Sequence, residues 1–282
     1  MIDVEPLTIP AIAAPMTAIS TPELVIAACN AGIVGTFPTS NCGSVAELDE
    51  WLGRIGDARL PGAGPVGANL ILHRTNRRLD DDLACVVAHG VAMVITSVGD
   101  PLPVIGPLHD AGVEVYVDVA SMKHAHRAAA AGADGLVLLS AGAGGHTGWA
   151  NPFAFARAVR SFWNGPLVLA GGISDGTALW AAITLGFDLG YLGTKLIATH
   201  ESGAGEGWTD AVVAGTLDDI ALSTAPNGVT ASVLRHDDQV AGSAGHTVAG
   251  VTRVLGVAEV VAETKAEWDA ARAATLASLR AN

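Results

Sequence analysis

Short apolar runs rich in Val, Ile and Leu recur along the chain: Ile12 to Ala14, Ile33 to Thr36, Val66 to Leu70, Met93 to Thr96, Val113 to Asp118, Gly135 to Leu139, Leu167 to Ala170 and Leu189 to Leu192. Short runs of this kind read as candidate strands, eight in all. Between them lie stretches with apolar positions at helical spacing: Pro22 to Ala31, Val45 to Leu52, Leu79 to Ala88, Val104 to Ala111, Met122 to Ala131 and Thr177 to Leu185. Strands alternating with helices predict a parallel sheet with crossover helices. Gly32, Gly90, Gly112, Gly132 and Gly186 each stand between a helical stretch and the next strand, where a left-handed residue closes a helix. Thr21 before Pro22 and Glu23, and Ser174 with Asp175 before the next helix, carry N-cap chemistry. Eight strands in strict alternation predict an α/β fold closed as a (β/α)8 barrel, spanning residues 1–199, rather than an open doubly wound sheet.

The rhythm stops near His200, giving way to a glycine-rich bridge from Gly203 to Gly207, a helix near Thr209 to Gly215 and a mixed loop through Pro226 and Asn227. Val257 to Leu279 then reads as one long amphipathic helix, with Trp268 and Leu276 as packing residues. Residues 200–282 are too short and too poor in strands for a second catalytic domain. They are expected to be a helical extension packed on the barrel and not an independent domain.

Composition narrows the function classes. Half of the 282 residues are hydrophobic and only 15% are charged, enough apolar surface for a large core. The net charge of -13 excludes a broad basic surface for nucleic acid or acidic lipid, while leaving room for a local anion pocket. The mean hydropathy is high at +0.42, yet every apolar run is broken well before the ~20 residues that a spanning helix needs. No membrane partner is expected. No basic stretch leads into an apolar run near the N-terminus, so the chain reads as cytoplasmic. Cys29, Cys42 and Cys85 are odd in number and lack metal-ligand spacing, which fits reduced thiols, Cys29 being a small buried residue. The acids and histidines do not cluster at ligand spacing either, so no metal is expected.

In a barrel of this kind the chemistry belongs at the C-terminal ends of the strands, and a phosphate often sits between the last two strand ends. The seventh run leads into Ala170-Gly171-Gly172-Ile173-Ser174-Asp175 and the eighth into Leu192-Gly193-Thr194-Lys195. Glycines let backbone N–H groups approach phosphate oxygens, and Thr194 adds a hydroxyl donor. After the sixth run comes Ser140-Ala141-Gly142-Ala143-Gly144-Gly145-His146-Thr147-Gly148. The Gly144-Gly145 backbone can lie flat against a planar ligand, and His146 has a side chain suited to proton transfer or anion stabilisation at neutral pH. The remaining histidines with no such setting, His73, His89, His109, His124, His126, His200 and His236, read as surface or packing residues. Pro15 and Met16 close the first strand, and Asn69, at the end of the third, could offer both a donor and an acceptor to a heterocycle edge.

Taken in order, Ala14-Pro15-Met16 with Ser20-Thr21-Pro22-Glu23-Leu24, Gly67-Ala68-Asn69-Leu70, Gly144-Gly145-His146-Thr147-Gly148, Ala170-Gly171-Gly172-Ile173 and Gly193-Thr194-Lys195 carry a family resemblance. The chain resembles the nitronate monooxygenases, formerly called 2-nitropropane dioxygenases, over nearly its whole length, and more distantly other FMN barrels such as enoyl-reductase-like proteins. The resemblance implies FMN, with its phosphate at Gly172, Gly193 and Thr194, its ring system near Pro15, Met16 and Asn69, and His146 on the substrate side. It also implies oxidation of an alkyl nitronate with O2 and no nicotinamide. Two departures stand out: Lys195-Leu196 where the family often has Arg-Phe, and Gly142 where many members have Glu. Lysine keeps the charge but not the bidentate geometry.

Two other functions fit parts of the pattern. One is an FMN-dependent reductase or dehydrogenase of an enoyl or acyl-thioester substrate using NAD(P)H, to which Arg74, Arg77 and Arg78 could contribute, although they also suit a solvated helix start. The other is a flavin-free barrel binding a phosphorylated metabolite, with Lys123, Lys195 and Asp118 as its candidate groups. In the leading reading the partners are a small-molecule substrate and O2, with a homodimer left open.

Overall fold

The computed structural model describes residues 4–224, 228–236 and 239–281. Pro226 and Asn227, read as part of a loop, lie outside the described residues. Eight parallel strands close into a barrel: β1 (Ala11–Ala13), β2 (Val34–Pro38), β3 (Val66–Ile71), β4 (Met93–Ser97), β5 (Glu114–Val119), β6 (Gly135–Leu139), β8 (Leu167–Ala170) and β9 (Leu189–Leu192). The two-residue β7 (Gly145–His146) stands outside the barrel, so the seventh and eighth barrel strands are β8 and β9. Closure comes from β9 pairing with β1, with Ile12 opposite Tyr191. All eight predicted strands are present, with ends that move by at most a few residues.

Alternate positions on each strand face inward or outward. Ile12, Val34, Met93, Ile95, Tyr116, Val137, Val168 and Leu189 fill the barrel interior as one cluster. The opposite faces join the larger layer between barrel and helices, where α1 (Pro22–Asn30), α2 (Val45–Ala58), α3 (Leu79–Ala88), α4 (Leu102–Asp110), α5 (Met122–Ala131) and α7 (Gly176–Leu185) pack. The capping signals act as read: Thr21 accepts from the Leu24 N–H and Asp175 from the Ala178 N–H. Each such cap contributes about 1 kcal/mol. Gly32, Gly90, Gly112, Gly132 and Gly186 all have positive φ. The sequence reading had no helix between the glycine loop and β8; the structure has α6 (Pro152–Arg160), started by the Asn151 side chain, which accepts from the Phe153 N–H.

Beyond the barrel, the short α8 (Thr194–Ile197) and then α9 (Glu206–Ala214) precede a small antiparallel sheet of β10 (Ile220–Thr224), β11 (Thr230–His236) and β12 (Gln239–Ser243). These strands correct the expectation of a strand-poor extension. They leave much of their length exposed and are rich in Ser, Thr and Gly, so no apolar alternation marks them. The terminal helix α10 (Val257–Ala281) lies on α7 so closely that a Cβ on Gly176 would fall 2.1 Å from the Thr264 carbonyl oxygen. Trp268 is buried there, edge-on to Trp180, whereas Leu276 is 55% exposed and does not pack as expected. Among the described residues, no helix is long and apolar enough to cross a membrane.

Candidate functional site

The C-terminal ends of the barrel strands form two differently built regions. At the β8–β9 edge, Gly171 and Gly172 both have positive φ, +111° and +82°. A side chain at Gly171 would meet the Ala143 N–H at 2.8 Å, so the glycine admits the loop after β6. At Gly172 a Cβ would meet nothing within 4 Å, leaving its backbone open to a ligand. A Cβ on Gly193 would lie 3.7 Å from both the Ala14 side chain and Met16 Sδ, which puts the β1 and β9 ends side by side. Pro15 and Met16 are half-buried at that rim. The buried Thr194 hydroxyl accepts from the Gly245 N–H at 2.9 Å and keeps its own proton to donate. These open N–H groups and a hydroxyl suit a phosphate.

Asn69 points into the mouth from β3. Its amide donates to the Ile95 carbonyl at 3.0 Å and to Ser97 Oγ at 3.1 Å. A carbonyl can only accept, so this pair fixes the amide orientation, and both N–H groups are engaged. Asn69 therefore offers a ligand only its Oδ1, a correction to the expected donor-and-acceptor role. A ring N–H is the complementary group.

The loop after β6 folds over the barrel instead of lying open. Ala143 caps the interior cluster, and Ser140 Oγ donates to the Ala170 carbonyl at 2.8 Å. A Cβ on Gly144 would meet the Gly245 nitrogen at 2.7 Å, and one on Gly142 the His246 ring at the same distance. Part of this glycine run therefore serves backbone packing against the extension, beside which His246 went unnoticed in the sequence. Gly145 and His146 form β7 and pair antiparallel with Ser232 and Ala231 of β11. His146 is half-buried, and burial holds its pKa below the usual histidine range, so the imidazole is neutral at pH 7.

His146 borders a cavity of about 250 Å³ set among the loops after β4, β5 and β6. Ser97, Val98, Asp118, His124 and Arg127 share its lining, and none of them was read as part of the leading site. His124, read as a surface or packing residue, is exposed and lines the rim of this cavity. Val98 is left-handed, with φ of +55°, an uncommon strain for a β-branched residue and one that clusters at functional sites. Asp118, on the inward face of β5, has a buried Oδ1 without a hydrogen-bond partner, and burial pushes its carboxyl up to about 7. Only the spatial convergence of strand ends brings these residues together.

Other candidates lie elsewhere. Arg78 braces the segment after β2, donating to the Cys42 and Thr39 carbonyls, while Arg74 and Arg77 are exposed. All three cysteines are buried and free. Among the described residues, Asp49 of α2, Cys85 of α3 and His89 just past its end come within ligand spacing of one another, a proximity that their spacing along the sequence does not show. There His89 Nε2 and Asp49 Oδ1 already bond one another at 2.8 Å, and burial holds the Cys85 thiol protonated.

Comparison with known proteins agrees with this architecture. The family model described as nitronate monooxygenase matches residues 1–249. A nitronate monooxygenase of Paraburkholderia phytofirmans is 27% identical over 250 residues, covering 72% of this chain and 67% of that protein. A Mycobacterium tuberculosis (3aS,4S,5R,7aS)-5-hydroxy-7a-methyl-1-oxo-octahydro-1H-indene-4-carboxyl-CoA dehydrogenase is 27% identical over 219 residues, covering 76% of this chain and 59% of that protein. The chain thus spans about three fifths to two thirds of the length of these curated relatives. Among solved structures, the nitroalkane oxidase from Streptomyces ansochromogenes superposes with a TM-score of 0.87 at 23% identity, covering 96% of this chain and 99% of that one.

Proposed function

The chain belongs to the nitronate monooxygenase family, and from that premise we propose that this oxidoreductase is FMN-dependent and oxidises small alkyl nitronates with O2. The observation that carries the reading is His146: a neutral imidazole fixed by the β7–β11 pairing at the edge of a cavity in the barrel mouth. Bound FMN supplies the electron acceptor, passing the substrate's electrons on to O2. Gly172 and Gly193, through their N–H groups, and the Thr194 hydroxyl would hold its phosphate. The Asn69 Oδ1 would accept from the N–H edge of its ring, with Pro15, Met16, Gly144, Gly145 and Gly171 completing the cofactor site. His146 holds a nitronate oxygen through its N–H, or takes the α-proton when the substrate arrives as a neutral nitroalkane. Lysine at 195 and glycine at 142, the departures noted above, both lie outside these contacts. Residues 200–282 belong to the same unit in this reading, because β11 holds β7 and α10 lies on α7.

The test combines a visible spectrum of the purified protein with anaerobic mixing against ethyl nitronate, and a parallel mixing with NAD(P)H. A flavin spectrum bleached by the nitronate and restored by O2 supports the proposal. The dehydrogenase relative, as similar as the monooxygenase, favours a second reading, an acyl-thioester reductase or dehydrogenase. Bleaching by NAD(P)H with an inert nitronate would select it. A colourless protein that does not take up FMN would sink both and leave the flavin-free phosphometabolite barrel.

A further inference from the structure

We propose that Asp118 acts in its neutral form as a hydrogen-bond donor to an anion bound in the cavity beside His146, so that the anion binds together with one proton taken from solvent. The inference rests on the reading above that the substrate is a nitronate-like anion. It makes Asp118 a substrate-binding residue that the family resemblance did not bring out.

Geometry supplies the first reason. Tyr116 points into the barrel interior from β5, and Asp118, two residues on, points the same way at the mouth end. It lines the cavity that His146 borders, and its Oδ1 is buried without a partner. A buried acceptor left bare is costly, and a bare carboxylate more so. The arrangement is relieved when the carboxyl carries a proton and donates it to a ligand oxygen.

The surroundings supply the second. The titratable and charged groups around Asp118 are His146 from the loop after β6, His124 and Arg127 from α5, and Tyr191 from β9. Thr96 and Ser97 of β4 and Leu139 of β6 bear no charge. Arg127 donates to the Gly99 carbonyl at 3.4 Å. Burial, and then the Asp118 carboxylate, hold the Tyr191 phenol well above its usual range, so it remains protonated. Burial is the cause that raises Asp118 itself, to about 7, with no neighbouring cation opposing it. An anion entering this cavity adds a like charge, which raises the proton affinity of the carboxyl further. Asp118 then takes one proton from solvent, keeps it while the anion is bound, and returns it when the site empties. No bond of the ligand breaks in this step.

The test uses the FMN-loaded protein and propanoate, a planar anion shaped like a nitronate that carries no nitro group to react. Calorimetric titration at pH 8 in phosphate and in Tris is expected to show nearly one proton taken up per anion, falling toward none at pH 6. Infrared difference spectra at pH 8 should gain the C=O band of a protonated carboxylic acid on binding. Asp118→Asn, whose amide donates without needing a proton, should bind propanoate about tenfold more tightly at pH 8 than the parent, the equivalent of one pH unit. It should show neither uptake nor the infrared band. Anion binding without uptake in the parent protein would overturn the role of Asp118 alone. So would uptake that persists in Asp118→Asn but vanishes in His146→Gln, which would make His146 the proton acceptor. Failure of propanoate and of ethyl nitronate to bind at either pH would overturn the anionic-substrate reading and this inference with it. The calorimetry and infrared spectra of the parent protein decide the matter even if the variant does not fold.

Discussion

At the β8–β9 edge of the barrel mouth, the groups open to a ligand are the backbone at Gly172 and Gly193 and one hydroxyl, that of Thr194. Across the mouth, between β4 and β6, they are the side chains of Ser97, Asp118 and His146 lining a cavity. The first region suits a group common to many ligands, because N–H donors follow from chain conformation and not from residue chemistry. The second can vary its chemistry one side chain at a time without disturbing the strands. If the proposed assignment holds, a barrel built this way keeps its cofactor site fixed while its substrate site changes.

The contrast breaks most readily on the backbone side. Gly171→Val combines a left-handed conformation with a Cβ 2.8 Å from the Ala143 nitrogen, and is expected to cost more than about 3 kcal/mol. It should purify with little or no flavin and a lowered melting temperature, so a yellow variant as heat-stable as the parent would refute the tight β6–β8 loop contact. On the side-chain side, His146→Ala should retain FMN while nitronate turnover falls about 10²- to 10⁴-fold. Stopped-flow bleaching of the flavin measures it, and undiminished rates would remove His146 from the chemistry.

Asp118→Asn probes the same side through stability. The carboxyl ionises near its ordinary value in the unfolded chain but only at about 7 in the folded protein. The folded state therefore binds the extra proton, and stability drops as pH rises from about 4 to about 7, then levels off. The Asn variant should lose that slope and gain roughly 2–4 kcal/mol at pH 8 relative to the parent. Urea denaturation at pH 5 and pH 8 checks this, with equal gains at both pH values counting against a buried acid. Thr194→Val should have a smaller effect, weakening FMN about tenfold or somewhat more through one lost bond to a charged group, as fluorescence titration of the apoprotein would show. Unchanged affinity would place the phosphate elsewhere.

The same division explains what could be read from the sequence. Strands buried on both faces appear as unbroken apolar runs, and β6, β8 and β9 begin and end where those runs do. Gly132 and Gly186, left-handed at the ends of α5 and α7, marked the helix ends. The half-exposed β10 to β12 gave no such signal. In the site, Gly172 was legible because its left-handed backbone, with φ of +82°, favours glycine, and Gly193 because it directly follows the eighth apolar run. Asp118 was noticed as a strand-end residue but assigned to a different chemistry, since its missing partner and its cavity exist only once the barrel closes. Ser97, His124 and Arg127 sit in ordinary-looking segments, and Leu276 had the right periodicity yet faces solvent.

The two-residue strand Gly145–His146 takes its place from Ala231 and Ser232, which come after the last barrel strand. Authority over the imidazole is thus divided between two stretches of chain that can be inherited and exchanged separately. A graft that replaced β10 to β12 with the equivalent three strands of a relative would re-aim His146 while every barrel residue stayed the same. Lineages of this family could diversify by trading that appendage, and directed evolution could begin there too, in a segment whose errors are borne outside the closed sheet.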